Sequence, residues 1–387
     1  MRRFLAPRQR TGAPVALAGA IAGSLCAAFA AQPALASAGI GGPGIGDPGI
    51  GAPPGAAPAA CSTPFDALRA PPALLAGCGI ATYPLQRVPE LLSAGGGRTY
   101  SYDVAGSAVT DLVPPTSFDP LTAPAPERLR YGIPGPPAGA AGRAGWQRRM
   151  AKLHFVDPPP YLVELPAHSA SSTPDYSDHW AGYVAYGGPF RKASSTWEEP
   201  SLGHSRCRST SLTIWTGIGG YASDSLAQDG TAEDTPEIAQ DQAWWELTPA
   251  GMVPVPLRAS PGGQFTADVT YLGNGRFAFF MENDRTGAAW AAVEKSENGV
   301  SQNTAESIVE RPCLSACTTT NAVYAHLSNF HQLVFSSSTV DGTAVGLFTN
   351  YQERMSVTGA PYGKGLAYPS PLSPNSDSFS VQQRSCS

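Results

Sequence analysis

The chain has 387 residues, of which 42 are Gly and 38 are Pro, and only 14% are charged. This composition disfavours long helices and favours turn-rich β structure beside segments without a packed core. No segment beyond the N-terminus approaches the roughly 20 consecutive apolar residues that span a bilayer. We therefore expect no membrane protein and, because no nucleic-acid-binding module is recognisable, no nucleic-acid partner.

Residues 1–36 are typical of an export signal. Four arginines within residues 1–10 precede an apolar run over about 15–30, and Ala34 and Ala36 follow as small residues of a cleavage site. We therefore expect a secreted, extracellular protein. Six cysteines follow the signal and can pair in an oxidising compartment. We predict the pairs Cys61–Cys78 and Cys313–Cys317.

Residues 37–59 are a Gly/Pro-rich linker that contains the related units GIGGP, GIGDP and GIGAP. Such a segment cannot bury enough apolar surface to offset the entropy of ordering. Residues 60–170 contain short apolar runs broken by Pro and Gly, and the stretch 128–152 is basic and loop-like. We predict a largely irregular leader here and interpret residues 60–170 as a propeptide.

The charge distribution supports the propeptide interpretation. Residues 1–170 carry 13 basic and 9 acidic side chains, whereas residues 171–387 carry 12 basic and 21 acidic side chains. A basic leader on an acidic domain would hold at neutral pH and loosen as carboxylates protonate, because Asp and Glu titrate at about pH 4 in model peptides. An ordinary basic linker is the alternative interpretation of the same charges.

Residues 171–387 have the alternation of β-strands, most clearly where apolar and polar residues alternate from Phe265 to Tyr271. Turn signals such as Gly273-Asn274-Gly275 separate the strand-like runs. The further runs are 276–281, 323–327, 332–336 and 345–348. Many short strands without interleaved helices predict an all-β fold, a two-sheet antiparallel β-sandwich of the concanavalin A/lectin-like jelly-roll type.

Several common catalytic motifs do not occur in the sequence. It contains no His-Glu-x-x-His, no phosphate-binding Gly-Lys-Ser/Thr loop and no Gly-x-Ser-x-Gly. The six histidines show no metal-ligand spacing. We therefore expect neither a cofactor nor a metal.

Five segments between about 180 and 340 carry the functional signal. In chain order they are Trp180-Ala-Gly-Tyr-Val184 with Trp197-Glu-Glu-Pro200, Trp215-Thr-Gly-Ile-Gly-Gly220 with Gln228-Asp-Gly230, Ala243-Trp-Trp-Glu246, Ala305-Glu-Ser-Ile-Val-Glu310, and Asn329-Phe330. Together, and in this order, they resemble motifs of the eqolisin family of glutamic peptidases. The resemblance implies a β-sandwich that hydrolyses peptide bonds.

The resemblance assigns roles to individual side chains. It implies that Glu310 is the catalytic carboxylate, acting as general base and then acid, and that Gln228 donates a hydrogen bond to the tetrahedral oxyanion. We expect Trp215, Glu246 and Trp180 in the substrate-binding cleft. A base works best near its own pKa, so a carboxylate suits a mildly acidic medium. We expect a monomer that acts on polypeptides.

The sequence also gives expectations for residues beside the expected site residues. In an extended segment Glu306 and Glu310 share one face, and we assign Glu306 a structural role. Gly219, Asp229 and Leu247 replace residues usual in the family, and we expect these replacements to touch the cleft.

Other readings of the same residues remain open. Trp215 and Trp180 could belong to a packed core. A lectin-like carbohydrate-binding sandwich would use the same aromatic and acidic side chains, and a glycosidase would use Glu246 and Glu310 as its carboxylate pair.

Overall fold

The computed structural model describes residues 61, 65–87, 97–104, 107–137, 139–165, 175–221, 223, 225–233, 241–296, 299–315 and 322–387. The expected signal (1–36) and linker (37–59) lie outside these residues. The helices are α1 (Pro72–Gly77), α2 (Ala125–Arg130), α3 (Ala140–Met150) and a 3-10 helix at Val345–Leu347. Among the described residues, no helix has the length and apolar character needed to cross a membrane.

Most of the regular structure is β-strand. The strands are β1 (Ala81–Pro84), β2 (Gln86–Arg87), β3 (Arg98–Val104), β4 (Ser107–Val113), β5 (His154–Phe155), β6 (Tyr161–Glu164), β7 (Tyr176–Ser177), β8 (Trp180–Tyr186), β9 (Lys192–Glu198), β10 (Thr210–Gly219), β11 (Leu226–Glu233), β12 (Gln242–Leu247), β13 (Val253–Arg258), β14 (Gln264–Gly273), β15 (Arg276–Asn283), β16 (Ala288–Lys295), β17 (Thr304–Glu310), β18 (Cys313–Ser315), β19 (Val323–Tyr324), β20 (His326–Leu327), β21 (Gln332–Val340), β22 (Thr343–Ala344), β23 (Thr349–Ser356), β24 (Gly365–Pro369) and β25 (Phe379–Gln383).

Two antiparallel sheets pack face to face, which confirms the predicted sandwich. The first, here called the site sheet, has the strand order β23-β8-β17-β10-β11-β12-β13. The second, the support sheet, has the order β25-β21-β9-β14-β15-β16-β4-β3. The main apolar core lies between them. There Trp245 of the site sheet stacks on Phe279 of the support sheet with ring centroids 5.2 Å apart.

The β14–β15 hairpin shows how local sequence sets this architecture. The alternation from Phe265 to Tyr271 lies within β14, which pairs with β15 along its length. Between them Asn274 and Gly275 both have positive φ, at 56° and 74°. A two-residue turn of this kind matches the right-handed twist of the flanking strands. The predicted turn and both predicted strands are confirmed.

Two local predictions are wrong. Residues 345–348 were expected to form a strand, but Val345–Leu347 is a 3-10 helix. The stretch 128–152 was expected to be loop-like, but α3 occupies Ala140–Met150. Alanine, arginine, glutamine and methionine are good helix formers, and they outweigh the two glycines within α3.

Residues 65–165 join the sandwich through regular elements. Strand β4 pairs with β16 and so extends the support sheet. Strand β6 pairs with β1 in a separate two-stranded sheet, and its neighbour Leu165 donates its backbone N–H to the Met252 carbonyl at 2.8 Å. The N-terminal residues therefore contain more regular structure than their Pro and Gly content suggests.

Two disulfides are described with both partners. Cys61–Cys78 is confirmed, and Cys207–Cys386 joins residues near the two ends of the sandwich. Cys313 is also disulfide-bonded. Its predicted partner Cys317 lies outside the described residues, so that pairing remains a prediction.

Candidate active site

A row of four residues crosses the outer face of the site sheet, the face that points away from the support sheet. Glu246 of β12 lies opposite Gln228 of β11, Gln228 lies opposite Gly217 of β10, and Gly217 lies opposite Glu306 of β17. Residues directly opposite in an antiparallel pair project to the same face. The sheet register therefore brings one amide and two carboxyl side chains onto a single line.

Gly217 separates Gln228 from Glu306 in this row. A Cβ atom at that position would lie 3.1 Å from the Gln228 Cβ atom and 3.0 Å from a Leu226 methyl group. It would also lie 2.9 Å from the Ala227 carbonyl oxygen. Glycine is therefore needed at this position because a larger side chain would collide with its neighbours on β11.

The Gln228 amide is held by its neighbour on β12. Its Nε2 donates a hydrogen bond of 2.6 Å to Glu246 Oε2, while its Oε1 accepts none in the described structure. Glu246 is fully buried. Glu246 therefore fixes the orientation of the amide, a role more specific than the cleft lining expected for it.

Glu306 is the other titratable group of the row. Its side chain is 2% exposed, and neither carboxyl oxygen accepts a hydrogen bond of ordinary geometry. Burial raises the pKa of Glu306 well above its usual value, and the Thr304 hydroxyl opposes this shift. Burial therefore favours the neutral form of Glu306 over its ionised form.

A second group of expected site residues lies further along the same face. Trp215 Nε1 donates a hydrogen bond of 2.7 Å to Glu310 Oε2. Trp180 lies opposite Glu310 across β8 and β17, and its ring meets the Trp215 ring edge-on with centroids 5.0 Å apart. The structure therefore brings together Glu310, Trp215 and Trp180, all buried.

Glu310 does not lie beside Gln228. Glu310 is opposite Thr213 on β10, four residues from Gly217, and four residues of strand span about 13 Å. The register therefore favours Glu306, to which the sequence analysis gave a structural role, as the carboxyl partner of Gln228. Alternation along β17 puts Glu306 and Glu310 on the same face but does not show which of them is nearer to Gln228. The pairing of β17 with β10, and of β10 with β11, shows that Glu306 is nearer along the strand direction.

The positions of Asp229 and Leu247 differ from the expectation that these residues touch the cleft. Asp229 follows Gln228 and points to the opposite, inner face, where the Asp268 charge on β14 and, above all, burial raise its pKa. Leu247 belongs to the core between the sheets. Neither residue touches the outer face, so the prediction that both replacements alter the cleft is wrong.

The outer face is covered by the described residues between 65 and 165, here called the cover. A single apolar cluster joins Leu75, Ile80 and Val163 to Trp180 and Trp215. The cover is held at its edge, where the Gly251 N–H donates to Glu164 Oε1 at 2.9 Å. The side chains of the candidate site are therefore shielded from solvent by a separate part of the same chain.

Comparisons with known proteins bear on the family of the chain. Residues 178–355 match the model of the Peptidase A4 family, a span that includes Gln228, Glu246, Glu306 and Glu310. Scytalido-glutamic peptidase, solved with a transition-state analogue inhibitor, is 20% identical over 54% of this chain and 100% of its own, with a TM-score of 0.45. SCP-B, an eqolisin solved with the tripeptide Ala-Ile-His, is 18% identical over the same shares, with a TM-score of 0.43. No curated protein matches the chain. The predicted family resemblance is confirmed.

Proposed function

We propose that the chain is a secreted acid-type endopeptidase that uses a Gln/Glu dyad, from the premise that residues 178–355 match the model of the Peptidase A4 family. The row formed by Glu246, Gln228, Gly217 and Glu306 is the observation that carries the proposal. It places an amide side chain that Glu246 orients and the Glu306 carboxyl in one row on the outer face. We assign the dyad to Gln228 and Glu306, and Glu310 is the alternative carboxylate that the motif resemblance implies.

The chemistry needs a base for water and a donor for the oxyanion. In its ionised form, the carboxylate takes a proton from the attacking water. The Gln228 N–H groups donate to the carbonyl oxygen as it becomes tetrahedral and negatively charged. The carboxyl group, now protonated, passes that proton to the leaving nitrogen. Glu246 keeps the Gln228 amide turned for this task through their 2.6 Å hydrogen bond.

Residues 60–170 act, in this proposal, as a propeptide that keeps the enzyme latent. Their apolar side chains lie over Trp180 and Trp215, which obstructs access of a polypeptide to the outer face. Burial also raises the pKa of Glu306, which disfavours an ionised base at this position in the covered enzyme. Removing the cover would admit both substrate and water, and solvation would lower that pKa. Latency is therefore both steric and electrostatic.

The test is cleavage of denatured casein by the secreted full-length chain after acid incubation, from acid to neutral pH, with pepstatin present. N-terminal sequencing of the product reports whether residues 60–170 are removed. We expect Gln228→Ala and Glu306→Gln to lower kcat by about 100-fold or more, because each removes a donor or a base of the transition state. Full activity with an intact leader would overturn the propeptide proposal.

Three comparisons make the assay specific. Glu310→Gln tests the alternative base: if it abolishes cleavage while Glu306→Gln does not, the base is Glu310. Glu294→Gln removes a buried carboxyl of the support sheet and should leave kcat unchanged. Equal cleavage by the wild type and all dyad variants would reject a peptidase of this type. Retention on a sugar column without proteolysis would instead support the lectin-like alternative.

A further inference from the structure

Three carboxyl groups outside the candidate active site converge at one end of strand β11. Glu199 follows β9, Glu233 is the last residue of β11, and Asp241 immediately precedes β12. One carboxylate oxygen from each lies within 4.8 Å of the others. Glu199 is 1% exposed and Glu233 is fully buried. The three residues come from separate segments, and their spacing in the sequence does not predict that they meet.

The oxygens that face this cluster have no hydrogen-bond donors. Both oxygens of Glu233, Oε1 of Glu199 and Oδ1 of Asp241 are buried and accept no hydrogen bond. The fully buried Glu233 carboxyl is directed at the other two carboxyls, with which it can form hydrogen bonds only when a proton is shared among them. Among the ion pairs of the described residues, none supplies Lys, Arg or His to any of the three.

Glu199 is oriented toward the cluster by the rest of its contacts. Its Oε2 accepts hydrogen bonds from Trp197 Nε1 at 2.9 Å and from Thr231 Oγ1 at 3.1 Å. These two donors fix the carboxyl plane and leave Oε1 as the oxygen without a partner. The position of this ligand atom is therefore set by the surrounding fold.

Buried carboxylates this close repel one another unless a cation or a proton lies among them. Ca²⁺ prefers oxygen ligands at about 2.3–2.6 Å, so two of its ligands can lie about 5 Å apart. The spacing of up to 4.8 Å fits this range. We propose that Glu199, Glu233 and Asp241 bind Ca²⁺ and so connect the segment after β9 to the ends of β11 and β12.

The competing arrangement is a shared proton. Without a cation, burial raises the pKa of Glu199 to about 7 and also raises the pKa of Glu233. Protons would then relieve the repulsion instead of a metal. The two arrangements differ in their response to Ca²⁺ at neutral pH, which makes them separable.

Terbium luminescence provides the test because Tb³⁺ substitutes for Ca²⁺ and Trp197 lies within hydrogen-bond distance of a proposed ligand. The full-length chain, freed of metals with a chelator, should show Tb³⁺ emission on tryptophan excitation at pH 7, saturating at one ion per chain. Excess Ca²⁺ should remove the emission. In parallel, Ca²⁺ at 100 times its Kd should raise the melting temperature relative to chelator, because only the folded state holds the site.

Two variants assign the signal to the cluster. Glu233→Gln and the half-buried Asp241→Asn should each lower Tb³⁺ affinity by at least tenfold, while Glu294→Gln should bind as the wild type does. Circular dichroism verifies that each variant is folded. A folded wild-type chain without Ca²⁺-displaceable emission, or equal emission from the wild type and both cluster variants, would overturn the proposal. Stabilisation of the chelator-treated protein by Glu233→Gln, without Ca²⁺ binding by the wild type, would identify the shared proton instead.

Discussion

The two faces of the site sheet are both buried, but different parts of the chain bury them. The inner face carries apolar residues such as Ile214, Ala227 and Trp245, which pack against the support sheet. The outer face carries Gln228 and Glu306, in the region that the N-terminal residues cover. The inner face is buried by the support sheet, to which the N-terminal residues contribute β3 and β4, whereas the outer face is buried in part by N-terminal residues such as Leu75 and Val163.

This difference separates stability from function within one sheet. Apolar side chains are stabilised by burial, so the inner face supports the fold wherever the sandwich is intact. Burial of a carboxyl such as that of Glu306, neither of whose oxygens accepts a hydrogen bond of ordinary geometry, is unfavourable. The outer face therefore contributes less to the stability of the fold than the inner face does.

The largest effect should come from removing an aromatic residue of the inner face. Trp245→Ala should lower the free energy of unfolding by about 3–5 kcal/mol, because a buried aromatic leaves a cavity against Phe279. Trp244→Ala, its neighbour on the outer face, should destabilise the full-length chain but have a much smaller effect once residues 60–170 are removed. Guanidinium unfolding of both forms measures this. Equal losses of unfolding free energy for the two variants in the cleaved form would contradict the proposed difference between the two faces.

A smaller effect should come from Glu282, a buried carboxyl of the support sheet that lies beside Arg149 of α3. Arg149 Nε lies 3.4 Å from Glu282 Oε2, yet burial raises the pKa of Glu282 to about 7. A carboxyl whose folded pKa is raised is most stable in the folded state when protonated. Its stabilising contribution is present below its unfolded pKa and is lost as pH rises through about 7.

The free energy of unfolding should therefore rise as pH falls from 8 to 5, by at most about 3 kcal/mol from this group. Glu282→Gln should flatten this slope, as denaturant titrations at several pH values will show. Protonation of Glu282 also removes the charge that Arg149 of α3 pairs with, so acid weakens this one contact of the leader while it stabilises the folded chain. An unchanged slope in Glu282→Gln would assign the pH dependence to other carboxyls.

The smallest effect should come from one hydrogen bond within the cover. Tyr161 donates its hydroxyl to the Ala70 carbonyl at 2.5 Å. Tyr161→Phe should lower the stability of the N-terminal residues by about 0.5–1.5 kcal/mol and speed their digestion by an added protease, with little change in the unfolding of the sandwich. Tyr362→Phe is the control, because Tyr362 is 89% exposed. Identical digestion rates would show that this bond does not limit opening.

Much of the fold follows from local sequence. The alternation of β14 and the Asn274-Gly275 turn predict a hairpin without any knowledge of the partner sheet. Successive side chains of any strand point to opposite faces. If Gln228 of β11 points outward, Asp229 must point inward. The inward position of Asp229 was thus available from the sequence.

Contacts between distant strands are a different matter. The choice between Glu306 and Glu310 depends on how β17 aligns with β10, and a shift of four residues preserves every inward and outward position. The cover over Trp215 and the carboxyl cluster at Glu233 arise in the same way, from segments that are remote in the chain. Period-two patterning contains no information about such alignments.

The disulfide connectivity has a consequence for an enzyme exposed to its own activity. Cys61–Cys78 lies wholly before the sandwich, and Cys207–Cys386 encloses most of it. A single nick inside that enclosed loop leaves the pieces covalently tied and able to stay assembled. A cut just before Tyr176, in contrast, leaves neither of these crosslinks spanning the break, so the upstream fragment would be held by noncovalent contacts rather than by either of these disulfides.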